Sequence, residues 1–309
     1  SASRPANDNV PGDGKFDQNY LPSATELMVG RVDLHSMTRA PSTAATELLL
    51  LRRYLRKAHH DYRHKQGAYA AIPRRSLIRD GFGYFSGEAF AIGGWSWAFT
   101  AVGLAVDEAP SGQWFSAAYA GGKDYLVAYG NGGGSYESAS SVSTTTDFGL
   151  RPSRAVFTSL FGSYFGDWDA NNVLLRAPLA GNATGDSLGL TCFWGGRPNR
   201  FMHHLGMGET VGFATLVSHN SSFWSVRYQP GTYAGVHCGL MGDPALRLHA
   251  VEPPRHLRAA SADSQITLAW NASSEPALQG YHVYRAPTPA GPFTRLTEDP
   301  LTATTYTDA

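Results

Sequence analysis

Residues Tyr125–Tyr136 read YLVAYGNGGGSY. An apolar β-run climbs into a glycine cluster that holds one polar side chain, Asn131, between Gly130 and Gly132. A strand that ends this way presents something at its tip. Glycines allow positive φ there and let backbone N–H groups converge on a ligand. The next apolar run, RAVFTSLFG (residues 154–162), leads to Ser163 and then to GDWD, with Asp167 and Asp169.

Outward from these two runs the pattern alternates. ELMVGRVDL (26–34) predicts a buried strand, RRSLIRDGFG (74–83) a strand with a turn, and LGLTCFW (188–194) another strand. Between them, residues 42–64 predict a helix capped by Ser42 or Thr43, with Leu48, Leu51, Leu55 and Ala58 as its apolar stripe. NNVLLRAPLA (171–180) predicts a short helix. Residues 201–220 predict one helix with Phe201, Leu205, Val211 and Leu216 inward. Strands alternating with helices imply an α/β domain, a mostly parallel sheet with helices on both faces. In such sheets ligands bind beyond the carboxyl ends of the strands.

A proline hinge at VEPPRHL (251–257) separates residues 1–250 from residues 251–309. The tail has short alternating runs between turn residues, as in a β-sandwich. Its core candidates are Leu257, Ile266, Leu268, Trp270, Tyr281, Val283, Tyr284 and Leu296. It resembles a fibronectin type III domain lacking the last two strands, and so predicts a partial all-β sandwich.

The chain has 309 residues, a formal net charge of zero and only 16% charged residues. Phosphate binding needs clustered Lys and Arg, so nucleic acid is excluded as the main partner. No apolar run reaches the length of a membrane span. The two cysteines, Cys192 and Cys238, sit in apolar runs outside metal-ligand spacing. They read as buried thiols, or as a disulfide between neighbouring strands.

Other signals are sparse. Asp8, Asp13 and Asp17 surround Gly12 and Gly14 and offer carboxylates to a Ca²⁺ ion, without the twelve-residue EF-hand spacing. An Asp/Gly turn is the alternative, and no other cofactor is indicated. His203, His204 and Glu209 lack zincin spacing. The aromatic phrases GGWSWAF, GQWFSAAY and FWSVRY suggest either a glycan-binding surface or simple packing. SYESASSVSTTTDF (135–148) predicts a polar flap beside the glycine tip.

Two longer phrases carry a family resemblance. DGKFDQNYLPSATELMVGRVDL (13–34) and GLMGDPALRL (239–248) resemble the gingipain-type (C25) cysteine peptidases over residues 8 to 249. The resemblance implies a caspase-like fold, a bacterial secreted or cell-surface location, and a protein or peptide partner. It implies a catalytic His in a Gly-His-Gly tip and a Cys at the end of the next core strand. Asn131 stands at the His position, and Gly162 or Ser163 at the Cys position. An amide does not titrate in water, and a serine needs an activating base. The expectation is therefore a degenerate dyad in a pseudopeptidase, with Gly130, Gly132, Asp167 and Asp169 lining the old cleft. The alternative is a Ser163-based hydrolase with Asp167, Asp169 or a nearby His as partner, although Asp before a helix is commonly a cap.

Overall fold

The computed structural model describes residues 24–40, 46–85, 88–115, 122–166, 170–195, 202–220, 238–275, 278–289 and 291–308, without the side chains of 84–93 and 238. The chain forms two compact units, divided between Ala250 and Val251.

The first unit is built on a six-stranded sheet. Its strands are β1 (Ser76–Asp80), β2 (Val106–Glu108), β3 (Tyr125–Asn131), β4 (Ala155–Phe161), β5 (Thr191–Gly195) and β6 (Cys238–Met241). Their spatial order is β6-β5-β4-β3-β1-β2. Every pairing is parallel except β5 with β6. β3 is buried along its whole length and β4 nearly so. Burial on both faces explains why these runs are continuously apolar rather than alternating.

Helices flank the sheet: α1 (Glu47–Leu55), α2 (Phe90–Val102), α3 (Thr145–Leu150), α4 (Ala177–Ala180), α5 (His203–Gly206) and α6 (Val211–His219). The cap of α1 is Thr46, whose Oγ1 accepts from Leu49 N at 3.3 Å, not Ser42 or Thr43. Its buried stripe is Leu50, Tyr54, Ala58 and Tyr62, while Leu48 and Leu55 are exposed. Tyrosine supplies what leucine lacks. Tyr54 donates to Leu190 O at 3.1 Å, and Tyr62 to Arg247 O and Leu248 O at 2.7 and 2.8 Å. These bonds pair the buried phenols, and burial raises their pKa values. Past Leu55 the helix widens into a π-helical turn, Arg56–Tyr62.

Other sequence expectations change form. Residues 26–34 make no strand: Arg31 alone bridges to Met241, and Leu27, Met28 and Val29 are exposed. The segment lies against the sheet's β6 edge instead of inside it. The helix predicted over 201–220 is split into α5 and α6. Gly208 has φ 92° between them, and Thr210 recaps the chain by accepting from Phe213 N at 3.1 Å. Leu205 and Val211 are buried as expected; Phe201 lies outside the described residues. Cys192 pairs with Met241 and Cys238 with Gly195. That places the cysteines three residues out of register, about 10 Å along the strands, too far for a disulfide.

The second unit contains an antiparallel sheet of β7 (Arg255–Ala262), β8 (Gln265–Asn271) and β9 (Thr305–Asp308), in that order, and a separate pair of Tyr284–Arg285 with Thr294–Arg295. Of its core candidates Trp270 and Val283 are buried, whereas Leu257, Ile266 and Tyr284 are exposed. So few strands give the alternating apolar face little to pack on. Among the described residues no helix is long and apolar enough to cross a membrane.

Candidate functional site

The carboxyl ends of β1, β3, β4 and β5 come together through backbone. Asn131 ends β3, paired with Asp80 on one side and Phe161 on the other. It is 0% exposed. Its Oδ1 accepts from Gly81 N at 2.7 Å and Phe82 N at 3.1 Å, in the turn after β1. Its Nδ2 donates to Tyr129 Oη at 3.2 Å. Asp80 Oδ1 caps the same turn, accepting from Phe82 N at 3.1 Å and Gly83 N at 2.9 Å. The Asn131 amide is thus turned into the protein, tying β3 to the β1 turn. A side chain held this way offers no atom to a substrate.

The glycines around it serve close approach. A Cβ on Gly130 would lie 2.6 Å from Val142 Cγ1 and 3.2 Å from Trp114 Cζ3. A Cβ on Gly132 would overlap the Ser140 carbonyl oxygen. Both glycines are buried. Gly134 packs onto the Gly162–Ser163 backbone so tightly that a Cβ would collide with it.

What presses on Gly132 is the segment predicted as a polar flap. It is a hydrogen-bonded three-stranded meander of Gly134–Ser135, Ser138–Ala139 and Ser143–Thr144. Ala139 and Val142 bury its inner side. It runs into α3 through a capping box: Asp147 N donates to Thr144 Oγ1 at 3.1 Å, and Thr144 N to Asp147 Oδ2 at 2.9 Å.

At the end of β4, Gly162 is buried and Ser163 exposed. A Cβ on Gly162 would sit 2.6 Å from both Gly132 O and Phe165 Cε1. Trp194, on β5, donates from Nε1 to Gly162 O at 2.8 Å. Phe165 N donates to Ser163 O at 3.0 Å around Tyr164, whose φ is 70°. A tight turn with a non-glycine residue in this region costs of order 1–3 kcal/mol. Among the described residues none hydrogen-bonds the Ser163 side chain. Tyr164 lies beside Tyr136 of the meander, ring centroids 5.7 Å apart.

Asp167 and Asp169 lie outside the described residues, as do Asp8, Asp13 and Asp17. Among the described residues no cluster of three His, Cys, Asp or Glu side chains is placed to hold a metal. His203 and His204 lie on α5 with ring centroids 4.1 Å apart, closer than helical splay predicts. Burial first, then His203, lowers the pKa of His204.

Three participants at the tips went unread in the sequence: Trp194, Tyr164 and Tyr136. Tyr164 carried a signal, since an aromatic residue directly after Gly162-Ser163 sits where a strand must turn sharply. Trp194 carried none, because its partner carbonyl is 32 residues away.

No protein-family model matches the chain, and no curated protein matches it significantly. Solved structures similar to it include the Arg-specific cysteine proteinase gingipain R, at 14% identity and TM-score 0.44, covering 72% of this chain and 58% of that one. Another is the complex of RgpB pro- and mature domains from Porphyromonas gingivalis, at 13% identity and TM-score 0.49, covering 74% and 62%. A third, a protease, has 11% identity and TM-score 0.43, covering 72% and 59%. The chain spans about three fifths of the length of each.

Proposed function

We propose that the first unit is a peptidase-like domain without peptidase chemistry, acting as a binding or structural module of a secreted or cell-surface bacterial protein. The observation that carries this reading is Asn131. It stands where the family resemblance implies a catalytic histidine, and its amide is fully buried and hydrogen-bonded to the β1 turn. Neither protonation chemistry nor access is left to it. The Gly162 position supports the same conclusion, because a thiol-bearing side chain there would meet Gly132 O and Phe165. The partner implied by the resemblance is a protein or peptide.

A second reading has one observation in its favour. Ser163 is exposed at the end of a core strand, beside a strained turn, which is where an activated hydroxyl would be presented. Its candidate partners, Asp167 and Asp169, lie outside the described residues, and a serine without a base is a weak nucleophile. The glycan reading loses its original motive in part. Trp97 and Trp114, from two of the three aromatic phrases, are core residues at 2% and 0% exposure; the phrase FWSVRY lies outside the described residues.

The test is a cleavage assay. The chain is incubated with a complex peptide library, and new termini are read by mass spectrometry, with Ser163→Ala beside it. No new termini are expected from the folded protein. Cleavage lost in Ser163→Ala replaces the binding-module reading with the hydrolase one.

A further inference from the structure

Arg79 is the next-to-last residue of β1, and its charge is unanswered. The side chain is half-buried, and its Nε is buried without an acceptor. Nη1 donates to Ala109 O at 3.4 Å, at the long limit of a hydrogen bond. Among the described residues no carboxylate lies within ion-pairing distance of it. Two other arginines drawn into the protein each meet one: Arg154 meets Asp124, and Arg176 meets Asp33 at 3.1 Å. A guanidinium taken out of water is unfavourable unless an acid and hydrogen bonds compensate it. Arg79 has one weak bond and no acid.

Its place in the sheet says what the charge can serve. From β1 the chain crosses to β2 on one side, whereas β3 lies on the other side and leads on to β4. The winding therefore reverses between β1 and β3. In open α/β sheets ligands bind beyond the carboxyl ends of the strands at that reversal. Arg79 is in register with Gly130 of β3 across it. Paired residues of neighbouring strands share a face of the sheet, so Arg79 stands next to a residue with no side chain, over which Trp114 and Val142 close. Ala109 begins a braced turn. Gln113 N donates to Pro110 O at 3.0 Å, Gly112 has φ 68°, and Gly112 N donates to Ser141 O at 3.1 Å. A cation between a strand end and a braced turn is already ordered, which favours binding. A single guanidinium supplies one positive charge and a planar fork, and a carboxylate matches both through two parallel N–H···O bonds. We propose that Arg79 recognises a carboxylate of a bound peptide, either an Asp or Glu side chain or a free carboxyl terminus. This inference rests on the binding-module reading and states what that module's peptide partner must carry.

The experiment presents the full chain to three matched peptide arrays and measures the affinity of each hit by calorimetry. The first array holds acidic peptides amidated at the carboxyl end. The second holds the same peptides with Asn and Gln in place of Asp and Glu. The third holds neutral peptides with a free carboxyl terminus. Binding is expected in the first or the third array and not in the second, and the first against the third tells a side chain from a chain end. Arg79→Met keeps the stem and drops the charge. It is expected to weaken binding about tenfold or more, and to melt no lower than the parent, because the charge it removes was uncompensated. Equal binding in the second array overturns the inference. So does no binding in any array at millimolar concentration, or binding unmoved by Arg79→Met. A clearly lower melting temperature for Arg79→Met also overturns it, since the folded chain would then already answer the charge. The array comparison uses the parent chain alone, so it stands even where the variant does not fold. Ser163-dependent cleavage sinks the underlying binding-module reading; binding through neutral, amidated peptides sinks this inference alone.

Discussion

The tips of β3 and β4 are neighbours, and they treat their polar side chains in opposite ways. At the end of β3, Asn131 is buried and bonds to two backbone N–H groups and one phenol. At the end of β4, Ser163 is exposed, and none of the described residues hydrogen-bonds its side chain. One residue is architecture and the other is surface. A dyad would need both side chains to face a common substrate. This pair faces in different directions, and the glycines between them are in backbone contact. The lesson is that the two positions should respond differently to every perturbation.

The largest effects belong to the glycines that lock the two tips. Gly132→Ala would push a Cβ into the Ser140 carbonyl, which is backbone and cannot swing away. A loss of about 3 kcal/mol is expected, measured by urea denaturation. Gly162→Cys should cost a similar amount, since its Cβ meets Gly132 O at 2.6 Å. The double variant Asn131→His with Gly162→Cys is then expected to be destabilised and to cleave nothing. Robust proteolysis by that variant would break the comparison outright.

Asn131→Ala comes next. Gly81 N also donates to Asn131 O at 2.8 Å, and Phe82 N also reaches Asp80 Oδ1. Each N–H therefore keeps a second acceptor, and the loss is about 2 kcal/mol rather than the sum of two orphaned donors. A change within experimental error would show that the amide is not structural.

A smaller effect separates the tips from the groups that titrate. Burial raises the Asp33 pKa, but the His35 N–H, Arg31 and Arg176 outweigh it and leave the carboxyl below its ordinary value. Arg176 lies 3.1 Å from it. A depressed carboxylate contributes stability above its unfolded pKa and loses it as pH falls through the folded one. Stability should therefore fall on acidification below the usual carboxylate range. Neither an amide nor a hydroxyl titrates there. The acid limbs of Asn131→Ala and Ser163→Ala should parallel the parent in melting temperature against pH.

How much of this was legible follows from range. β3 and β4 could be read because burial on both faces leaves an unbroken apolar signature in a short window. The glycine tip could be read for the same local reason. The inward turn of Asn131 could not, because its acceptor role is fixed by Gly81 and Phe82, about fifty residues earlier. The press of Ser140 on Gly132 is close in sequence, but it depends on a meander whose Ser/Thr composition also fits a loose loop. On α1 the leucines looked like the stripe. The tyrosines take the inward positions and donate to the Leu190 and Leu248 carbonyls, more than a hundred residues later in the chain. In the tail, alternation was visible, but alternation names a face without naming what covers it.

The smallest expected effect is the most informative about function. Ser163→Ala removes one exposed hydroxyl that none of the described residues hydrogen-bonds. Surface changes of this kind stay within about 0.5 kcal/mol, so the denaturation midpoint should not move. The strained turn should persist, because it is held by Trp194 on Gly162 O and by the Phe165 N–H on Ser163 O, neither of which involves the hydroxyl. A stability loss above 1 kcal/mol would mean that the hydroxyl is bonded in solution and that Ser163 resembles Asn131 after all. An unchanged fold leaves any altered ligand binding or cleavage attributable to the hydroxyl itself. That separation is available at β4 and not at β3, where removing the side chain also loosens the strand end it secures.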